Sequence, residues 1–262
     1  MIIYFSGTGN TRYAALLLAK NLNDDDVREM PTEMLCNPAE ATIDISEGDK
    51  YVVWAFPTYS WGVPPSVANV MKNAKFGTNA ANATHIMLTT CGDDMAYTDR
   101  QWRRLMAGRG LKAGGAFSVT MPNTYVLMKG FDVDSEEIAS KKIAGCANAV
   151  SHIAKSIINE GDDILTRLSF SWVKSKIIYP WFIRYAMSPK PFHCDDRCIG
   201  CSKCADNCPT GNIKMLDGHP KWDTTCALCL RCYHICPSKA VCYGKATKGK
   251  GQYLLSKQNQ FL

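Results

Sequence analysis

Eight of the thirteen cysteines fall into two copies of one spacing. Cys198, Cys201, Cys204 and Cys208 read C-x2-C-x2-C-x3-C-P, closed by Pro209. Cys226, Cys229, Cys232 and Cys236 repeat the pattern 28 residues later, closed by Pro237. Thiolates are soft ligands, so cysteines grouped at such gaps point to zinc or to iron–sulfur clusters. Zinc takes four ligands per ion. It leaves a third cysteine at the same gap, and the proline, unexplained in both copies. The iron–sulfur reading accounts for them, and its chemistry is one-electron transfer. Cys194 fits no ligand slot and reads as structural; Cys36, Cys146 and Cys242 read as buried or incidental thiols. His193, His219 and His234 flank the runs. No cysteine ligand is missing, so they read as surface or packing residues.

A second chemical signal stands at the other end of the chain. Ser6-Gly7-Thr8-Gly9-Asn10-Thr11 follows a short apolar run and precedes an Ala/Leu-rich segment. The glycines allow a tight turn, and the hydroxyls can donate to phosphate oxygens. A helix starting there would aim its free N–H groups and positive dipole end at the same point. No Gly-Lys-Ser/Thr follows, so this is no Walker loop, and Arg12 stands where a dinucleotide fingerprint needs its third glycine. Two later loops add to it: Pro57 to Pro65 (PTYSWGVPP) and Cys91 to Tyr97 (CGDDMAY). Each offers an aromatic residue and tight backbone after an apolar run.

The elements that must position these loops alternate between strand and helix. Strands are expected at Ile2–Phe5, Tyr51–Phe56, His85–Thr90 and Ala116–Met121, with a weaker one near Val27–Met30. Helices are expected at Tyr13–Leu22, Pro65–Lys75, Thr98–Gly108 and Ser135–Glu160. Such alternation implies a parallel sheet with helices on both faces, and all three loops then lie at carboxyl ends of strands, where open α/β sheets bind ligands. Residues 162–192 crowd Phe170, Trp172, Tyr179, Trp181, Phe182, Tyr185 and Phe192 between scattered cations. That segment is too polar to span a bilayer, and it reads as an amphipathic helix packing one domain on the other, with a membrane-surface helix as the minor alternative. Pro180, Pro189 and Pro191 are expected to break it. Lys245, Lys248, Lys250 and Lys257 give the last nineteen residues four cations and no acid, which reads as a solvated tail.

With 262 residues and 46% apolar content, the chain can bury a real core. It opens on a predicted strand, so no leader is expected, and thirteen cysteines then suit a reducing cytoplasm. The run around Arg100, Arg103, Arg104 and Arg109 is basic but lacks interleaved aromatics, so nucleic acid is not expected as a partner.

On these residues the chain resembles two families. Residues 1–160 are similar to flavodoxins, and about residues 194–243 resemble bacterial 2[4Fe–4S] ferredoxins. The whole resembles the EFR1-type fused flavodoxin/ferredoxin proteins. The resemblance implies an α/β fold: a doubly wound, five-stranded parallel sheet over 1–161, a helical linker over 162–192, and a small α+β two-cluster domain over 193–243, with a tail over 244–262. It implies FMN, with the phosphate held by Ser6, Thr8, Gly9, Asn10 and Thr11. Pro57, Thr58, Tyr59, Trp61, Gly62, Thr90, Cys91, Gly92 and Asp93 would contact the ring, and Trp61, Tyr59 or Tyr97 would stack on it. Asp93 or Asp94 nearby would disfavour a negatively charged reduced flavin. It implies two [4Fe–4S] clusters, the fourth cysteine of each run crossing to the other: Cys198, Cys201, Cys204 and Cys236 on one, Cys208, Cys226, Cys229 and Cys232 on the other. The expected function is electron transfer among FMN, clusters and a protein redox partner, with any membrane contact at most peripheral. The alternatives are an FMN-dependent reductase fed by its clusters, and a cluster-based redox sensor. A roomy pocket lined by Met121 to Met128 would favour the reductase.

Overall fold

The computed structural model describes residues 1–255. The strands are β1 (Ile2–Tyr4), β2 (Val27–Glu29), β3 (Thr42–Ile43), β4 (Tyr51–Pro57), β5 (Lys75–Phe76), β6 (Thr84–Cys91) and β7 (Lys112–Thr120), and the helices between them are α1 (Asn10–Leu22), α2 (Thr32–Cys36), α3 (Pro65–Asn73), α4 (Thr98–Ala107) and α5 (Glu136–Ile158). Five strands form one parallel sheet in the order β2-β1-β4-β6-β7, which is the flavodoxin-like order 2-1-3-4-5 when only that sheet is counted.

The side-chain period of two explains the layers. Ile3, Val52, Trp54, Phe56 and Met87 bury one face against Val67, Val70 and Met71 of α3 and Trp102 and Met106 of α4. Ile2, Val53, Ala55, Ile86 and Leu88 bury the other against Ala14 and Leu18 of α1 and Val150, Ile153 and Ile157 of α5. Helix ends follow local chemistry. Pro65 opens α3, the Ser135 hydroxyl accepts the Ile138 N–H at α5, and Glu136 and Glu137 suit that helix's positive end. In the first core layer, the Trp54 indole N–H donates to His85 Nδ1 at 3.0 Å, and His85 Nε2–H donates to the Ala80 carbonyl at 2.9 Å. Burial lowers the His85 pKa below its usual value.

Strand β7 begins four residues before its expected start. The added residues include Gly114 and Gly115, and a Cβ at Gly114 would come within 2.4 Å of the Thr84 methyl group. This edge is covered by Ile164, bridged in parallel to Phe117.

The linker departs from expectation. Residues 171–186 form one helical run with wide turns at Lys174–Ile178 and Phe182–Ala186. Pro180 does not break it, because a wide turn accommodates the missing N–H. The tail reading also fails up to residue 255. Tyr253 and Leu255 are buried beside α1 and α5, and the Leu255 N–H donates to the Thr8 carbonyl at 2.9 Å. Lys257 lies outside the described residues.

The C-terminal module is built on β8 (Phe192–Cys194) paired antiparallel with β11 (Val241–Tyr243), and on the hairpin β9 (Ile213–Leu216) and β10 (His219–Trp222). Asp217 and Gly218 turn that hairpin with φ of 50° and 76°. Short helices at Lys203–Asp206 and Arg231–Ile235 carry Cys204 and Cys232.

Candidate functional site

Loops from the carboxyl ends of β1, β4, β6 and β7 meet in one cavity. Ser6, Gly7, Thr8, Asn10 and Thr11 line it with Pro57, Thr58, Tyr59, Thr90, Cys91 and Gly92, and with Asn123, Thr124 and Tyr125. Gly9 turns the loop with φ of 98° and directs α1 at the cavity. Two of the polar side chains are already engaged. Asn10 Nδ2 donates to the Pro122 carbonyl at 2.9 Å, Asn10 Oδ1 accepts from the Tyr253 hydroxyl at 2.9 Å, and Thr11 Oγ1 lies 2.8 Å from Thr90 Oγ1. Ser6 Oγ is different: it is buried and has no partner among the described residues. An orphaned hydroxyl beside a helix N-terminus fits a phosphate oxygen.

A cleft of about 430 Å³ adjoins this cavity, sharing Thr58, Cys91, Gly92, Asn123 and Tyr125 and adding Trp61, Asp93, Met128, Lys174 and Trp181. Trp61 is held at φ of 65°, with the Lys174 ammonium 5.4 Å from its ring centroid. Gly62 lies behind the cleft, closing a tight turn with Tyr59, and a Cβ there would strike the Tyr179 ring. Tyr97 lines neither space; its ring lies against Arg100 and Arg167, with centroid distances of 3.8 and 5.0 Å. Asp94 also lines the cleft, where it is paired with Lys174. Its carboxylate accepts from Lys174 Nζ at 2.5 Å and from the N–H groups of Ala96 and Leu168 at 2.9 and 3.0 Å. Burial pushes the Asp94 pKa up, but these bonds outweigh it and hold it below the usual value. Asp93 is exposed. Burial, with Asp94 and Asp93 nearby, pushes the Cys91 thiol up to about 12, so it stays protonated.

The eight repeated cysteines line two small cavities. One is lined by Cys198, Cys201, Cys204 and Cys236, the other by Cys208, Cys226, Cys229 and Cys232. The fourth cysteine of each run thus faces the first three of the other. The backbone repeats with the sequence. Gly200 and Ser202 flank Cys201 with φ of 64° and 59°, and Leu228 and Leu230 flank Cys229 with 52° and 62°. Left-handed residues on both sides of the middle cysteine curl each loop around its cavity. Backbone N–H groups reach sulfur in matching places: Asn212 N–H to Cys208 Sγ and Ala240 N–H to Cys236 Sγ, both at 3.3 Å. The cavities differ in cover. Phe192, Trp222 and Leu230 close the second, whereas Cys201 and Ile199 beside the first are exposed.

Residues 195–214 match the family model described as the 4Fe-4S binding domain. Over that stretch the chain is similar to 4Fe–4S binding domains. A curated relative, a component of the ion-translocating oxidoreductase complex of Methanosarcina acetivorans, is 41% identical over 49 residues. That stretch is 18% of this chain and only 19% of the relative. Among solved structures, a Streptococcus pneumonia TIGR4 flavodoxin is 18% identical, covering 58% of this chain and 97% of its own, with a TM-score of 0.32. Oxidised flavodoxin 2 from Bacillus cereus is 15% identical over 58% of this chain and 97% of its own, also at 0.32.

The cysteine module is joined directly to the phosphate-type loop. Leu228, Cys229 and Leu230 form part of the wall of the cavity that holds Ser6 to Thr11. A Cβ placed on Gly7 would lie 2.5 Å from the Cys229 carbonyl oxygen. Arg231 donates through Nε to the Gly7 carbonyl at 2.9 Å, and through Nη2 to the Ser6 carbonyl and to Glu29. His234 is buried, a packing residue as one of the two expected readings had it. Its Nε2–H donates to the Thr124 carbonyl at 2.9 Å, and its Nδ1 accepts the Tyr253 N–H at 3.1 Å. Cys36 Sγ–H donates to the Thr210 carbonyl at 3.2 Å, a further tie across the boundary.

Asn123 and Tyr125 fall within the Met121–Met128 span expected to line a pocket, but sequence reasoning did not place Phe182, Lys174 and Arg231 at the loops. The aromatic crowding of 162–192 was a signal for Phe182, and the cation inside the Cys229–Cys232 gap was one for Arg231. Neither carries a spacing that names its target.

Proposed function

We propose that the chain is an electron-transfer flavo-iron–sulfur protein that joins FMN to two [4Fe–4S] clusters and passes electrons between them and a protein redox partner. The observation that carries this reading is the shared wall. Cys229 and Leu230 border both the loop cavity and a four-cysteine cavity, so the two cofactors would be separated by one layer of backbone.

Bound FMN would supply the interchange of two-electron and one-electron flow. The chain's residues do the rest. Ser6 and Thr8 with the α1 N-terminus would hold the phosphate, while Asn10 and Thr11 keep the loop in shape through their bonds to Pro122, Tyr253 and Thr90. Pro57 to Tyr59, Trp61, Thr90 to Asp93, Asn123 and Tyr125 would contact the ring. Gly9, Gly62 and Tyr97 would act behind the site. Cys208, Cys226, Cys229 and Cys232 would hold the cluster nearer FMN, with Phe192 and Trp222 excluding water. Cys198, Cys201, Cys204 and Cys236 would hold the outer one, with exposed Ile199 and Leu216 offering a partner an apolar landing.

A reductase is the second reading, favoured by the cleft that Trp61, Asn123, Tyr125, Met128 and Trp181 enclose beside the loop cavity. Its volume is within the range of small-molecule sites.

Anaerobic purification followed by iron, sulfide and FMN analysis tests the composition. The proposal expects about eight irons and one FMN per chain; bound zinc, or no FMN after reconstitution, overturns it. Screening small organic oxidants against the reduced protein separates carrier from reductase.

A further inference from the structure

The helical run 171–186 has a single inward stripe. Ser171 bonds the Leu168 carbonyl, Ser175 accepts the Tyr97 N–H, Tyr179 donates to the Val63 carbonyl at 2.7 Å, and Phe182 packs on Tyr125 with ring centroids 5.9 Å apart. These positions recur about every four residues; Lys174 and Ile178 beside them face the adjoining cleft, and the opposite side of the run points outward. Two outward rows result. One reads Trp172, Lys176, Pro180, Arg184; the other reads Val173, Ile177, Trp181, Tyr185. Most of these side chains are exposed.

The exposure is large for such side chains. Phe170 is 79% exposed, Tyr185 65%, Trp172 59%, Ile177 54% and Trp181 52%. A contiguous apolar face of this kind marks an interaction surface. Its charge names the partner. Residues 164–194 hold Arg167, Lys174, Lys176, Arg184 and Lys190 and no aspartate or glutamate. Arg167 and Lys174 are engaged inward by Asp99 and Asp94, which leaves Lys176 and Arg184 along the apolar face.

We propose that this face seats the protein on an anionic phospholipid surface, with 171–186 lying flat in the headgroup region. Three features select lipid over a protein partner. The face is a convex helix, which sinks into a soft phase more readily than it meets a rigid groove. Along the helix its aromatic residues are Trp172, Trp181 and Tyr185, whose amphipathic rings suit the membrane–water boundary. Its cations sit in a row beside them, where they reach lipid phosphates while their stems cover apolar surface. No helix among the described residues is long and apolar enough to cross a membrane, so the attachment is peripheral and reversible. Trp181 and Ile178 also line the cleft beside the loop cavity, so the cleft opens at the lipid-facing side.

The test is flotation of the full chain with vesicles of phosphatidylcholine alone or with about 30% phosphatidylserine. Binding is expected to the anionic vesicles, weakening as salt rises, with tryptophan fluorescence quenched by brominated acyl chains. Combined Trp172→Ser, Ile177→Ser and Tyr185→Ser should weaken binding at least about tenfold, as should Lys176→Glu with Arg184→Glu. Circular dichroism and thermal melting check that these variants fold, and the wild-type quenching stands independently of them. Failure to float with anionic vesicles at low salt overturns the proposal. So does equal binding to neutral vesicles, or a stable homodimer through this face in place of vesicle binding.

Discussion

The Arg231 guanidinium donates to the Gly7 carbonyl at 2.9 Å across the boundary between the cysteine module and the sheet domain. The same side chain reaches the Ser6 carbonyl and Glu29, and Arg231 lies between Cys229 and Cys232. A residue of the thiol loop therefore fixes the carbonyls that shape the phosphate-type loop. Arg231→Ala is expected to cost about 2 kcal/mol of stability, the scale of a hydrogen bond to a charged group. It should also weaken FMN binding about tenfold while iron content holds. Chemical denaturation and fluorimetric FMN titration measure both; unchanged FMN affinity would remove Arg231 from the account.

Gly7→Ala tests the close approach itself. The new methyl would meet the Cys229 carbonyl oxygen at 2.5 Å, and backbone cannot swing aside as a flexible side chain can. FMN retention should fall at least about tenfold through displacement of the loop. Gly48→Ala is the control, because a Cβ there meets nothing within 4 Å. Equal FMN retention in both variants would show that the loops part without consequence.

Tyr253→Phe removes one hydroxyl, which donates to Asn10 Oδ1 at 2.9 Å in a buried setting. The orphaned Asn10 oxygen should cost about 1–2 kcal/mol. The loss should shrink when Asn10→Ala is combined with it, since the pair then vanishes together. A strictly additive double variant, measured by urea unfolding, would show that the bond does not couple the two.

The pH dependence of the sheet domain should carry the mark of His85. Its folded pKa is lowered, first by burial, and the neutral ring accepts from Trp54. In the unfolded chain it titrates near 6.5. Below that pH the unfolded state binds more protons, so stability is full above about 6.5 and falls as pH drops toward the lowered folded value. Urea midpoints at pH 7.5 and 5.5 should show the loss, and His85→Gln should flatten it. A decline of the same size in the variant would assign it to other groups.

Cys208 faces the cavity of Cys226, Cys229 and Cys232, and not that of the other cysteines in its own run. Cys208→Ala should therefore disturb the same cluster as Cys226→Ala, while Cys236→Ala should resemble Cys198→Ala. Iron analysis with low-temperature EPR of each reduced variant compares the pairs. A Cys208 variant with the spectrum of the Cys198 variant would contradict the crossed arrangement.

Much of this was legible in the sequence because it rests on local pattern. The alternation of Ile2 with Ile3 and Val53 with Trp54 follows the pleat, and the 28-residue cysteine repeat returns as paired left-handed residues at Gly200 and Leu228. What was not legible depends on tertiary neighbours. The strand expected from Ala116 starts at Lys112, with Gly114 packed against Thr84. Pro180 reads as a break until wide turns absorb it. Tyr253 and Leu255 read as tail until α1 and α5 offer them a groove. Tyr97 sits near the loop in sequence, yet two arginines hold its ring elsewhere, and no spacing encodes Arg231 crossing to Gly7.

The central claim is that flavin and clusters share electrons within one chain through the Gly7–Cys229 contact. Introducing a single electron by pulse radiolysis into the anaerobic, fully loaded protein, and following the flavin and cluster absorption bands, tests it most directly. The account predicts that the two bands relax together in a first-order step whose rate does not change with protein concentration, and that Gly7→Ala slows it. A redistribution whose rate rises in proportion to protein concentration, or no exchange between the bands, would contradict it.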